Sequence, residues 1–307
     1  MSPLRSALAD YLTVRRALGY KLEKAEWLLS GFLAYLEERD AKTITIEHAL
    51  AWATLPGGAP NWHCARLSVL RRFAAYMKTI YPACEVPGAG LLRARRSRMT
   101  PYIYSESEIA ALIEAAATLR GAHRVATYRT LIGLLATTGM RIGEAIRLER
   151  SDLDLTLGAI TVRETKFAKS RELPLHESTA AALRRYLRRA DRPASPGDPD
   201  AVFVSTAGTR LRYGSAQATF ARLLAHVGFE PRSARCRPRL HDLRHTFAVR
   251  TMLDAYREDG EVEVRLAALS TYLGHVSPTS TYWYLSAAPE LMELAACRLE
   301  RYLGDRS

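Results

Sequence analysis

Four short segments of this chain carry residue types and spacings suited to chemistry on an anion. The first, Thr137-Thr138-Gly139-Met140-Arg141-Ile142-Gly143-Glu144, is a glycine-punctuated turn between two helical patterns. It sets Arg141 at a helix start, where a guanidinium and backbone N–H groups can face one anion. The second, Thr165-Lys166-Phe167-Ala168-Lys169-Ser170-Arg171, reads as a hairpin tip that offers Lys166 or Lys169 as a proton donor. The third is His241-Asp242-Leu243-Arg244-His245. On a helix His241 and Arg244 share a face, while His241 and His245 have the spacing of a zinc-binding HExxH helix with Asp in place of Glu. The fourth is Leu273-Gly274-His275, followed nine residues later by Tyr284 inside Thr281-Tyr282-Trp283-Tyr284-Leu285. Taken singly, each has an ordinary reading: a surface arginine, an exposed hairpin lysine, a packed aromatic.

Together these residue types match the needs of phosphoryl transfer. A phosphodiester in transfer gathers charge on its equatorial oxygens, and two fixed guanidiniums stabilise that charge more than they stabilise the ground state. An alkoxide leaves poorly, so a positioned proton donor contributes ~10²- to 10⁴-fold. A tyrosine is a weak nucleophile at neutral pH and must be activated by its surroundings.

Arg, Lys, His-x-x-Arg, Gly-His and Tyr follow one another over the C-terminal two-thirds of the chain, in the words TGMRIGEAIRL, RELPL, HDLRHTFA and YLGH with Tyr284 nine positions on. In this the chain resembles the tyrosine recombinase (phage integrase) family over about residues 105 to 288. The ending TYWYLSAAPEL is most similar to recombinases encoded by bacterial mobile elements. The resemblance implies that Tyr284 attacks a scissile phosphate to give a 3′-phosphotyrosine and a free 5′-hydroxyl. It implies that Arg141 and Arg244 hold the non-bridging oxygens and that Lys166 protonates the leaving 5′-oxygen. His241 would take part in proton transfer with the tyrosine, and His275 would donate to a phosphate oxygen. Recombination requires four active sites on two duplexes, so the implied assembly is a tetramer on double-stranded DNA, of this chain alone or with related recombinases. The sequence departs from the family between Thr251 and Ser270, where the acidic Arg257-Glu258-Asp259-Gly260-Glu261 stretch is longer than usual.

The composition agrees with a polyanionic partner. The 307 residues carry 44 Lys and Arg against 32 Asp and Glu, a formal charge of +12, and the isoelectric point is near 9.7. Such a balance favours nucleic acid or an anionic surface. Residues 48% hydrophobic and 25% charged suit a folded chain rather than a disordered one. No apolar run approaches the ~20 residues that span a bilayer. Met1 to Asp10 shows no apolar signal core, and Cys64, Cys84, Cys236 and Cys297 form no CxxC pair. A cytoplasmic protein is expected on both counts.

The elements that must position these groups fall into two parts. The expected fold is mainly α with a small antiparallel sheet: an N-terminal helical DNA-binding domain over residues 1–87, a basic linker over 88–104, and a catalytic domain over 105–307. In the first part Leu8 and Leu12 mark one helix stopped near Gly19, and Trp27, Leu28, Phe32, Tyr35 and Leu36 mark the face of a second. Thr45 caps a third, and Leu67, Leu70, Phe73, Ala74 and Met77 line a fourth. Arg66, Arg71 and Arg72 lie off that last stripe, either on a solvated face or against phosphates. Arg93, Arg95, Arg96 and Arg98 make the linker basic, and Arg232, Arg235, Arg237 and Arg239 form a second cluster of candidate DNA contacts. Ser105 with Glu108 is a capping box that opens the catalytic part. Ile160 and Val162 alternate with polar neighbours as in a strand, Leu173-Pro174-Leu175 returns, and Val202 to Ser205 reads as a further short strand. A last helix over about 288–303 packs either on its own domain or on a neighbouring subunit.

The resemblance and the residue types together imply a site-specific recombinase with no cofactor and no metal. A phosphotyrosine bond keeps the energy of the broken phosphodiester, and the chain has neither a Walker-type loop nor a two-metal carboxylate cluster. The alternatives are a non-catalytic DNA-binding regulator on the same fold, a type IB-like topoisomerase using the same tyrosine chemistry, and a zinc hydrolase built on His241 and His245.

Overall fold

The computed structural model describes residues 3–93, 99–163, 170–258, 261–274 and 289–304. The chain divides into two units, Met1–Arg98 and Met99–Ser307.

The first unit is built from α1 (Pro3–Ala17), α2 (Glu23–Glu37), α3 (Ile46–Ala53) and α4 (Pro60–Ile80). Gly19, at φ +85°, turns the chain after α1, a conformation that a Cβ would disfavour. Thr45 caps α3 by accepting from the His48 N–H at 3.1 Å, and Pro60 stands at the start of α4, where its missing N–H costs nothing. The expected stripe of α4 is entirely buried, with Phe73 meeting Tyr11 edge to face at 5.4 Å. The face of α2 differs from expectation at one residue. Leu28, Leu29, Phe32, Leu33 and Leu36 are buried, while Trp27 is 64% exposed. At 100° per residue those five already fill the inward arc, and Trp27 falls outside it.

The second unit is mainly helical, with a small antiparallel sheet. Ser105 and Glu108 form the capping box in both directions, at 3.1 and 2.6 Å, and start α5 (Glu106–Ala115). The following α6 (Ala122–Thr138) is apolar on several sides because it is packed on several sides: Tyr128, Leu131, Ile132, Leu134 and Leu135 are all buried. Strands β1 (Leu153–Asp154), β2 (Ala159–Val162) and β3 (Arg171–Pro174) pair antiparallel in that order, with Ile160 opposite Leu173 and neither exposed. The expected strand at 202–205 is a correction. Val204 pairs with Arg210 only as an isolated bridge. The Ser205 N–H closes a tight turn onto Thr209 at 2.7 Å before a ladder can extend, and the Val202 N–H bonds to the Leu148 carbonyl at 3.0 Å.

The chain continues through α7 (Ile142–Ala145), which precedes the sheet, then α8 (Glu177–Leu187), α9 (Tyr213–Val227), α10 (Asp242–Arg257), α11 (Val262–Leu273) and α12 (Pro289–Gly304). Ala248, Val249, Met252 and Leu253 of α10 share a core with Leu266, Leu269 and Leu273 of α11 and with Leu291 of α12. The last helix thus rests on its own chain through Leu291. Among the described residues no helix is long and apolar enough to cross a membrane.

Candidate active site

Arg141 stands directly before α7, one turn beyond the end of α6. That turn needs Gly139. Its φ is +59°, and a Cβ there would lie 2.4 Å from the Phe247 ring. The arginine does not present its backbone donor to solvent as the sequence suggests. The Arg141 N–H donates to Glu144 Oε2 at 2.9 Å and Nη1 to Oε1 at 2.7 Å, so Glu144 closes the short helix on itself. Arg171, the first residue of β3, donates to the same carboxylate through Nη2 at 2.8 Å and Nη1 at 3.3 Å. Glu144 is buried, with only 4% of its side chain exposed. Burial alone would raise its pKa, but the hydrogen bonds and charge of Arg171 and Arg141 outweigh it and hold the carboxyl down to about 2.

Arg244 lies in the first turn of α10 and is 2% exposed. Its Nη1 donates to the Gly139 carbonyl at 2.9 Å and its Nη2 to the Leu273 carbonyl at 2.6 Å. His241 occupies the position just before the helix. Its pKa is pushed down to about 4, first by desolvation and then by His245, Arg244 and Arg141. The residue is exposed to solvent, which weakens desolvation, but the Arg244 and Arg141 guanidiniums act in the same direction. His241 is therefore a neutral imidazole at pH 7, ready to accept a proton. His245 meets it edge to face at 4.8 Å and is bonded through Nδ1 to Asp242 Oδ1 at 2.8 Å. Among the described residues no third His, Cys, Asp or Glu joins the two histidines in a metal-ready group.

The end of α11 brings these parts together. Arg171 Nε donates to the Tyr272 carbonyl at 2.7 Å, Arg244 Nη2 to that of Leu273 at 2.6 Å, and Arg141 Nη2 to that of Gly274 at 3.3 Å. Carbonyls at a helix C-terminus lack intrahelical partners and carry the negative end of the helix dipole. Three arginines from three separate segments satisfy three consecutive ones. The next residue in the chain is His275.

Of the sequence-predicted catalytic residues, Arg141, His241 and Arg244 are thus brought to one place. Lys166, His275 and Tyr284 lie outside the described residues, as do Lys169, Tyr282, Arg95, Arg96 and Arg98. Among the candidate DNA contacts, Arg71 turns inward and donates to the Pro87 and Gly88 carbonyls at 2.8 and 2.9 Å. Arg66 lies over the Trp52 and Trp62 rings. Arg239 is bonded to Asp242 through both Nε and Nη2, and Arg232 lies 4.4 Å over the Tyr102 ring. Arg72, Arg93, Arg235 and Arg237 are exposed. For two residues of the site the sequence alone implies no role. Glu144 was detectable as a carboxylate three residues after a helix-starting residue, the spacing of a capping box. Arg171 opens the RELPL return but has no local signal that it reaches back to residue 144.

Residues 103–290 match the model of the phage integrase family. Over the full length of both chains the protein is 42% identical to putative integrase/recombinase y4rB of Sinorhizobium fredii. The chain belongs to the phage integrase family. Tyrosine recombinase XerD of Xanthomonas campestris is 30% identical to this recombinase over 81% of the chain and 75% of its own length. Among solved structures, the XerA recombinase shares its fold at 24% identity and a TM-score of 0.51, covering 98% of this chain and 97% of that one. The Tn1549 transposon integrase in complex with a circular intermediate DNA shares it at 17% identity and a TM-score of 0.65, covering 98% of this chain and all of that one. By family this recombinase is an enzyme of site-specific DNA recombination.

Proposed function

We propose that this recombinase cuts duplex DNA with Tyr284 and rejoins it through a 3′-phosphotyrosine, using Arg141 and Arg244 as the clamp on the scissile phosphate. The observation that carries the reading is the convergence of Arg141 and Arg244 on the Leu273 and Gly274 carbonyls, directly before His275. Carbonyls fix both guanidiniums in place, and Arg141 shares the Glu144 carboxylate with Arg171, so positive charge is held in position before the substrate arrives. His241, kept neutral, exchanges the tyrosine proton, and His275 donates to a phosphate oxygen. Lys166 protonates the leaving 5′-oxygen. Residues 1–87 form the DNA-clamping part and 105–307 the catalytic part, joined by the basic stretch 88–104. The active assembly is a tetramer on two duplexes, in the cytoplasm with the host DNA.

The test uses DNA that the protein holds covalently in its host, recovered and rebuilt as a nicked substrate that traps the intermediate. Wild type traps a covalent complex, in excess EDTA as well as without it. Tyr284→Phe binds the same DNA and traps nothing. Trapping that survives Tyr284→Phe but disappears in Tyr282→Phe assigns the nucleophile to the other tyrosine. Loss of trapping on chelation, restored by zinc, returns the reading to a metal-dependent hydrolase.

A further inference from the structure

We infer that Arg171 is a positioning residue for strand cleavage, the tie that sets Arg141 and the end of α11 in one register. The inference rests on the catalytic roles proposed above. Arg171 contributes donors in two directions. Nη1 and Nη2 hold the Glu144 carboxylate, which in turn holds Arg141 through Nη1. Nε holds the Tyr272 carbonyl, one residue before the carbonyl that Arg244 grips. The side chain is 11% exposed, so its fork is engaged inside the protein and is not presented to DNA.

Two further features depend on this arrangement. Without Arg171, Glu144 would be a buried carboxylate facing Arg141 alone, and it would draw that guanidinium's charge away from the phosphate. Gly274 makes the close approach possible: its φ is +65°, and a Cβ there would stand 3.0 Å from Arg171 Nη1. The glycine of the Leu-Gly-His word is thus explained by the arginine as well as by the helix end. A planar fork has fixed geometry that a lysine lacks, so charge alone cannot replace it.

The experiment measures single-turnover cleavage on the trapping substrate for wild type, Arg171→Gln and Arg171→Lys, beside thermal stability and DNA affinity. Misplacing catalytic groups by about 1 Å costs on the order of 10²-fold in rate. Arg171→Gln is expected to lose roughly that factor in the cleavage rate while its affinity for DNA and the salt dependence of that affinity stay within about twofold of wild type. Arg171→Lys is expected to recover less than a tenth of the loss. If Arg171→Gln cleaves within about twofold of wild type, or loses affinity in proportion to rate, the inference is overturned. Where a single variant does not fold, Glu144→Gln/Arg171→Met, which leaves no unpaired buried charge, carries the same expectation. A wild type that traps no complex overturns the proposed function instead, so the two failures are distinct.

Discussion

The arginines of the first unit and those at the end of α11 are held in different ways. In the first unit Arg5 pairs with Glu37 in a two-point contact, Arg15 and Arg39 lie over the Tyr20 and Tyr35 rings, and Arg71 caps a loop through the Pro87 and Gly88 carbonyls. Each of these contacts involves a separate arginine, and most lie at the surface, where an ion pair contributes little to stability. At the end of α11, Arg141, Arg171 and Arg244 reach residues up to 133 positions away, and Arg141 and Arg171 share the Glu144 carboxylate. A basic residue count therefore says little about function. What separates the two sets is whether the guanidiniums are held singly or converge from several segments on one helix end.

The largest expected effect comes from Arg244→Ala against Arg71→Ala. Removing the buried Arg244 guanidinium strands the Gly139 and Leu273 carbonyls and should destabilise the fold by about 2–4 kcal/mol. It should also lower the cleavage rate by at least ~10²-fold. Arg71→Ala should cost about 1 kcal/mol and leave the cleavage rate within about twofold. Urea unfolding and single-turnover cleavage on both variants check the contrast, and equal cleavage losses would break it.

The next effect is on acid stability. Glu144 has a folded pKa of about 2, below its ordinary value of 4.5, so its contribution is complete above about 4.5 and is lost as pH falls toward 2. The full contribution is on the order of 3 kcal/mol. His241 acts in the same direction. Its pKa of about 4 lies below the ordinary 6.5, so its neutral form favours folding above 6.5, and that advantage is lost as pH falls toward 4. Thermal melts should fall more steeply between pH 5 and pH 3 for wild type than for Glu144→Gln, and parallel curves would remove Glu144 from this role.

Smaller again is the loss of local caps. Thr45→Ala in the first unit and Ser105→Ala in the second should each cost about 1 kcal/mol in denaturant unfolding. Neither should alter the cleavage rate on saturating DNA. The smallest effect is on salt dependence. Arg72→Ala, an exposed cation beside the internally bonded Arg71, should reduce the slope of log affinity against log salt by about 0.9, while Arg71→Ala leaves it unchanged. A reversed result would mean that Arg71 releases the Pro87–Gly88 loop when DNA binds.

Local chemistry was legible in the sequence wherever a few adjacent residues decide the outcome. The Thr45 cap, the Ser105/Glu108 box, the stripe from Leu67 to Met77 and the Ile160/Val162 alternation depend on residues within one or two turns or on one strand, and each is present as read. The motif words also group Arg141, His241 and Arg244, because that order of residue types resembles the family's. Tertiary structure alone decided how they are held. Trp27 faces outward because Leu29 and Leu33 complete the inward arc of α2, a choice between two apolar faces that composition leaves open. Val202–Ser205 makes only bridges because its hydrogen bonds go to Leu148, Thr209 and Leu211. Arg71 and Arg239 are bonded within the protein, although their sequence surroundings look like those of a DNA-facing arginine. The convergence of residues 141, 171 and 244 on the carbonyls of residues 272–274 has no sequence signature at all. It arises because a helix end must satisfy its last carbonyls, and only the packing of α6, β3, α10 and α11 determines which donors are within reach.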